Sequence, residues 1–101
     1  MKQPTKNRFG HALRRARAVR KLSQEGFGEV SGRTYVSQLE RCERHATLSK
    51  IDEFSTVLGL HPCSLVLLSY LPDHASADTV DRLLALIRRE ALQLVDEDSI
   101  A

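Results

Sequence analysis

The chain is predicted to be all-α, a compact bundle of five helices followed by a C-terminal amphipathic helix. Three observations predict this. Apolar residues recur at helical spacing in separate stretches, among them Phe9-Ala12-Leu13-Ala16, Ile51-Phe54-Ser55-Leu58 and Val80-Leu83-Leu84-Ile87-Ala91-Leu94. Residues that start or stop helices, namely Ser23, Ser31-Gly32, Thr47, Gly59 and Pro62, fall between them. Repeats and low-complexity tracts are absent, so the organisation lies in how successive helices hand over.

Residues 1–7 have nothing to bury and are expected to form a flexible basic tail. The first helix is expected over about residues 8–21, with Arg17 on its apolar stripe and Arg14, Arg15, Arg20 and Lys21 mostly to the sides. Ser23 suits an N-cap, since its hydroxyl can accept from an otherwise unpaired first-turn amide of a short second helix. That helix turns Phe27 and Val30 inward and must stop near Ser31-Gly32, where glycine can take a positive φ. A third helix, about 33–41, buries Val36 and Leu39 and carries Glu40 on the same side.

Thr47 caps a fourth helix over 48–58, whose inward set is Leu48, Ile51, Phe54, Ser55 and Leu58. Gly59 followed by Leu60 reads as its C-terminal cap with a hydrophobic follow-on contact. His61-Pro62 opens the fifth helix, in which Cys63 to Leu71 is apolar nearly all round and is expected to be covered on two sides. After the breaker Leu71-Pro72-Asp73-His74 a sixth helix spans 77–95, with Asp78 and Asp81 near its positive end. Residues 96–101 are expected to fray. Residues 8–71 thus form one domain, and 76–95 a separate amphipathic element.

Two charges stand where apolar residues belong. Arg17 and Glu40 each lie on the buried face of their own helix, and an unpaired buried charge costs several kcal/mol. They are therefore expected to pair with each other, fixing the angle of the third helix.

Charge is polarised along the chain. Residues 1–50 carry 12 Lys and Arg against 4 Asp and Glu, a net of +8; residues 51–101 carry 3 against 9, a net of −6. Such asymmetry suggests that one half meets a polyanion. At 101 residues the chain fits one core and leaves no room for a separate ligand-sensing domain. Cys42 and Cys63 fall in no metal or redox motif, and neither a secretion signal nor a membrane span is evident, so a cytoplasmic protein with reduced thiols is expected. His61 and Cys63 bracket Pro62, and Cys42 and His45 are three apart, yet no pair has the usual zinc spacing. No metal or cofactor is expected. Nor is an enzyme, since no nucleophile–base arrangement, phosphate loop or paired-carboxylate cleft is evident.

The eighteen residues Ser23 to Glu40 hold two short helical patterns joined by a tight Ser-Gly turn. A polar helix propped by a shorter one and flanked by arginines is shaped to enter the major groove of duplex DNA. Leu22-Ser23-Gln24-Glu25, then Tyr35-Val36-Ser37-Gln38-Leu39-Glu40-Arg41, then Gly59-Leu60 match a known pattern. On these residues the stretch from 9 to about 70 resembles the phage-repressor and Cro-like (Xre-type) helix-turn-helix family.

The resemblance implies a repressor-like five-helix bundle, double-stranded DNA as ligand, a homodimer on a palindromic operator, and transcriptional control. It further implies that Gln24 touches phosphate, that Arg33, Thr34, Ser37 and Gln38 read bases, and that Arg17 and Glu40 are the family's buried pair. Two departures stand out. The turn before the third helix is two residues shorter than usual, which predicts a rotated or frayed start at Arg33 and Thr34. Cys42 replaces a usual glycine, and because cysteine tolerates a left-handed turn poorly, a differently wound helix exit is expected.

Side-chain geometry supplies the reading chemistry. Gln38 can offer a donor and an acceptor together to adenine, Arg33 can bond both acceptors of guanine, and Ser37 or Thr34 can serve a base edge or a phosphate. Tyr35 suits phosphate or sugar, while Arg41, Arg44 and His45 suit phosphates or an adjacent groove. The stripe Val80, Leu83, Leu84, Ile87, Ala91 and Leu94, with Leu67 and Tyr70 of the fifth helix, is expected to form the dimerisation surface. With no separate activation surface, repression is expected over activation. The alternative is an antitoxin or interaction adaptor whose acidic last helix grips a second protein.

Overall fold

Helix α1, Phe9–Val19, begins where Asn7 Oδ1 accepts from the Phe9 amide at 3.0 Å, capping a free first-turn donor. This is a computed structural model in which residues 7–28 and 30–96 are described, so the expected tails lie outside it except for Asn7 and Asp96. Asn7 is no part of a loose tail. Its amide donates to Ser69 Oγ at 2.6 Å and the Arg8 amide donates to Ser69 O at 2.7 Å, fastening the start of α1 to a later helix.

The buried face of α1 is built from small residues and one leucine: Gly10, Ala12, Leu13 and Ala16. Small side chains let another backbone come close. A Cβ on Gly10 would lie 2.3 Å from Leu39 O, so only glycine fits this crossing. The helix ends at Val19, earlier than expected, because Lys21 enters the left-handed region at φ 59°. There the Lys21 amide donates to Ala18 O and the Leu22 amide to Arg17 O, satisfying two terminal carbonyls.

The second helix is reduced to one 3-10 turn, Gln24–Phe27. Ser23 precedes it but its hydroxyl makes no capping bond, which corrects the expected cap: in this 3-10 turn the Gly26 amide donates to the Ser23 carbonyl at 2.9 Å instead. Phe27 closes the turn with its side chain fully buried, its ring 4.9 Å from that of Phe54 in an edge-on arrangement. Helix α2, Arg33–Glu40, follows from Gly32. Gly32 is extended at φ −74°, not left-handed as expected, because it serves as the N-cap of α2 and its carbonyl accepts from Val36. The first turn of α2 is intact. The short connection is accommodated in the preceding element, which is a 3-10 turn, so Arg33 and Thr34 are not frayed.

Val36 and Leu39 go into the core. Helix α2 then exits through Cys42 at φ 62°, with the Cys42 amide donating to Leu39 O and the Glu43 amide to Gln38 O. The expectation that cysteine would avoid this turn is corrected. Two recovered hydrogen bonds offset a left-handed cost of about 1–2 kcal/mol.

Helix α3, Leu48–Leu58, is capped by Thr47 Oγ1 accepting from the Lys50 amide at 3.1 Å. Ile51, Phe54, Ser55 and Leu58 are buried, but Leu48 is 79% exposed. Its place in the first turn explains this, since a helical Cβ tilts toward the N-terminus and so beyond the core's edge. Gly59 is left-handed at φ 69°, with Gly59 donating to Thr56 O and Leu60 to Ser55 O, and Leu60 packs on the core.

Helix α4, Pro62–Ser69, bends away from α3 by 108°. His61 Nδ1 accepts from the Cys63 amide and Pro62 occupies the position where a missing N–H does no harm. The helix is covered by α1 on one side and α3 on the other, with Leu65 fully buried between them. It stops two residues before the expected Leu71, where the buried Ser69 hydroxyl donates to Val66 O. Leu67 is half-buried and Tyr70 exposed.

Two compact units are distinguished, residues 1–70 and 71–101. The second is described by itself: helix α5, Ala77–Val95, capped by Ser76 Oγ accepting from Thr79 at 3.2 Å and supported by an Asp78–Arg82 ion pair at 2.9 Å. None of its residues is buried. No strand occurs among the described residues, and no single helix among them is long and apolar enough to cross a membrane.

Candidate nucleic-acid interface

Helix α2 divides into two faces. Val36, Leu39 and Glu40 point into the bundle, and Arg33, Thr34 and Arg41 are exposed, with Ser37 and Gln38 half-buried between. The inward charge is paired as expected. Arg17 Nε donates to Glu40 Oε2 at 2.8 Å and Nη2 to Oε1 at 3.0 Å, a two-point contact between α1 and α2. Arg17 Nη1 also donates to Leu22 O at 2.9 Å. Side-chain exposure is 17% for Arg17 and 4% for Glu40, so the carboxylate is the more isolated partner. The hydrogen bonding to Glu40 raises the Arg17 guanidinium above its ordinary pKa, against a smaller opposing effect of burial.

Gln24 joins this network. Its Nε2 donates to Glu40 Oε1 at 3.2 Å, so the residue marked by resemblance for phosphate is turned toward the buried carboxylate. The tilt of α2 is thereby tied to both preceding elements.

On the outer side, Gln24, Arg33, Thr34, Ser37 and Arg41 surround one shallow groove of about 290 Å³. Arg33 is loosely held: its Nη1 donates to Glu25 Oε1 at 3.5 Å, a long and exposed ion pair. Arg41 is engaged instead. It donates to Ser37 Oγ at 2.7 Å and to both oxygens of Glu43, at 2.6 and 3.2 Å. That hydrogen bonding holds the Glu43 carboxyl below the usual carboxylate range and raises Arg41.

Gln38, Tyr35, Arg44 and Lys50 make a second cluster. Arg44 Nε donates to Gln38 Oε1 at 2.6 Å, and its guanidinium lies 5.7 Å from the Tyr35 ring centre. Lys50 Nζ lies 5.8 Å from the same ring, while also donating to Val30 O and pairing with Glu53 at 3.2 Å. Tyr35 is thus a half-buried platform that gathers two cations beside the outer face of α2. Lys50 escaped the sequence reading. Its signal was the Thr47 cap, which fixes the first turn of α3 and so the place of a residue three positions later.

Arg44 and His45 do not join the groove on α2. They line a wider one of about 860 Å³ together with Asn7, Phe9, His11, Cys42, Leu48 and Tyr70. Cys42 and Cys63 are both free thiols and exposed. No group of three or more His, Cys, Asp or Glu among the described residues is placed to hold a metal ion. Of the apolar residues expected to serve dimerisation, Val80 and Leu83 are half-buried and Leu84, Ile87, Ala91 and Leu94 exposed. Neither a family model, nor a curated protein, nor a solved structure matches the chain.

Proposed function

We propose that the chain is a non-enzymatic, cytoplasmic regulator of transcription that binds double-stranded DNA in a sequence-dependent manner, as a homodimer on a palindromic operator, and represses. One observation carries the reading. The outer face of α2 gathers hydrogen-bonding and cationic side chains around a solvent-open groove, while its inner face is locked at a set tilt by the Arg17–Glu40–Gln24 network. A helix lodged in a major groove needs both features: side chains that reach base edges and a scaffold that keeps their register. The net charge of +8 over residues 1–50 supplies the non-specific attraction to phosphate.

In this reading Gln38 exchanges its bond with Arg44 for an adenine edge, releasing Arg44 to a phosphate. Arg33 offers its fork to guanine, and Thr34 and Ser37 serve base or backbone. Selection from random duplexes supplies the site, which is expected to be an inverted repeat. On that site Gln38→Ala loses about 1–3 kcal/mol with relaxed discrimination at one or two bases, while Arg44→Ala weakens all duplexes alike and lowers the salt slope by about one. Equal losses for Gln38→Ala on operator and random DNA refute the assignment. A second reading, capture of another protein by α5, is supported by the exposed leucines of that helix. A stoichiometric foreign chain in native copurification favours it.

A further inference from the structure

The apolar face of α5 carries a pattern finer than a stripe. Ala77, Val80, Leu84, Ile87, Ala91 and Leu94 are separated by three, four, three, four and three residues, an unbroken alternation over almost the whole 19-residue helix. That is a heptad seam, with Ala77, Leu84 and Ala91 at one core position and Val80, Ile87 and Leu94 at the other. A face of this kind suits packing against a second helix. Leu84 and Ile87 at its middle are 46% and 45% exposed, and Leu94 is 74% exposed, so the seam is open from Leu84 to its end, with Val80 half-buried.

Direction follows from size and charge. In a parallel pair each core layer meets itself, so Ala77 faces Ala77 and Ala91 faces Ala91, leaving thin layers. The flanking positions would set Leu83 against Arg88 and Glu90 against Val95, with no opposite charges matched. An antiparallel pair inverts this. Layers become Ala77 with Leu94, Val80 with Ala91 and Leu84 with Ile87, so large residues fill the space left by small ones. The flanking Asp81 then stands opposite Arg88 of the partner subunit, twice by symmetry, between the same two core layers.

We propose that α5 pairs with α5 of a second copy as an antiparallel two-stranded coiled coil whose two-fold axis passes between Ala85 and Leu86. The inference rests on the homodimeric reading above and adds to it a partner, a direction and a register. Asp78, nearer the helix start, is already paired with Arg82 in its own chain, which leaves Asp81 and Arg88 for the crossing contact.

The test uses the full chain with Cys42 and Cys63, both exposed, changed to serine. Leu84→Cys and Ile87→Cys are made separately and oxidised with oxidised glutathione, alone and mixed. Circular dichroism of each variant establishes that helix content is retained. The antiparallel register predicts a disulfide dimer mainly in the mixture, about tenfold over either variant alone. Efficient crosslinking of each variant by itself means a parallel pair and overturns the proposal. So does a monomer at all concentrations by light scattering. As a second measurement, Asp81→Arg raises the dimer Kd about tenfold and adding Arg88→Asp restores it; failure of the second change to restore it overturns the register. DNA binding is scored separately with the Gln38→Ala comparison. A monomer that still discriminates operator sinks the pairing alone, whereas a crosslinked dimer indifferent to DNA sinks the regulatory reading alone.

Discussion

Replacing Arg17 with Met leaves the Glu40 carboxylate, 4% exposed, holding one amide donor where it had three. Breaking a buried ion pair from one side costs about 3–5 kcal/mol. Because Arg17 itself is 17% exposed and water can reach the vacated space, the low end, about 3 kcal/mol, is expected. Glu40→Leu leaves a guanidinium that keeps its bond to Leu22 O and some solvent, so about 2 kcal/mol is expected. Arg17→Met with Glu40→Leu together removes both charges and fills the space with apolar atoms. That double variant is expected to cost no more than Arg17→Met alone, a coupling of about 2–3 kcal/mol. Urea unfolding at neutral pH measures all four proteins, with unchanged slopes showing that the unfolded states are alike. Losses that simply add would refute the argument, since they would mean that the two charges hold their places independently.

Gly10→Ala is expected to destabilise by about 1–3 kcal/mol in thermal unfolding despite alanine's better helix propensity, because its methyl would meet Leu39 O at 2.3 Å. Ser55 Oγ is buried without a hydrogen-bond partner, so Ser55→Ala is expected to stabilise by about 1 kcal/mol, and a loss of stability would show that the hydroxyl is satisfied. Glu43→Gln frees Arg41 from its exposed ion pair, and duplex affinity is expected to rise with a salt slope steeper by about one. The pH sign follows from the lowered pKa of Glu43: its pairing is complete above the ordinary carboxylate range and is lost as pH falls through the depressed value. Wild-type duplex affinity should therefore approach that of Glu43→Gln on acidification, which filter binding at fixed salt measures.

Helix existence was legible wherever apolar spacing and caps agreed. The bounds of α3 and α5 coincide with those read from Thr47 to Gly59 and from residue 77 to 95, because one strong signal marks each boundary. Gln24–Phe27 was not legible as a 3-10 turn, since four residues contain no period to read. Left-handed geometry is legible at Gly59, read as a helix cap, but not elsewhere. Residue type points to Gly32, which is extended, whereas Lys21 and Cys42 are left-handed just past a helix end, where two carbonyls need donors. The Arg17–Glu40 pair was readable because a charge on an apolar stripe demands a partner. The links from Gln24 to Glu40 and from Lys50 to Tyr35 join residues sixteen and fifteen apart through side chains alone, and no local pattern announces them.

The close crossing at Gly10 reaches beyond stability. With the backbone of α1 resting directly on the end of α2, and a carboxylate gripped from two neighbouring elements beneath it, α2 has little freedom to slide or roll at that end. Adjustment is left to the outermost atoms of Arg33, Gln38 and Arg41. On the proposed reading, a duplex docking there would meet a shape already set in the protein, and the strain of fitting would fall on the visitor.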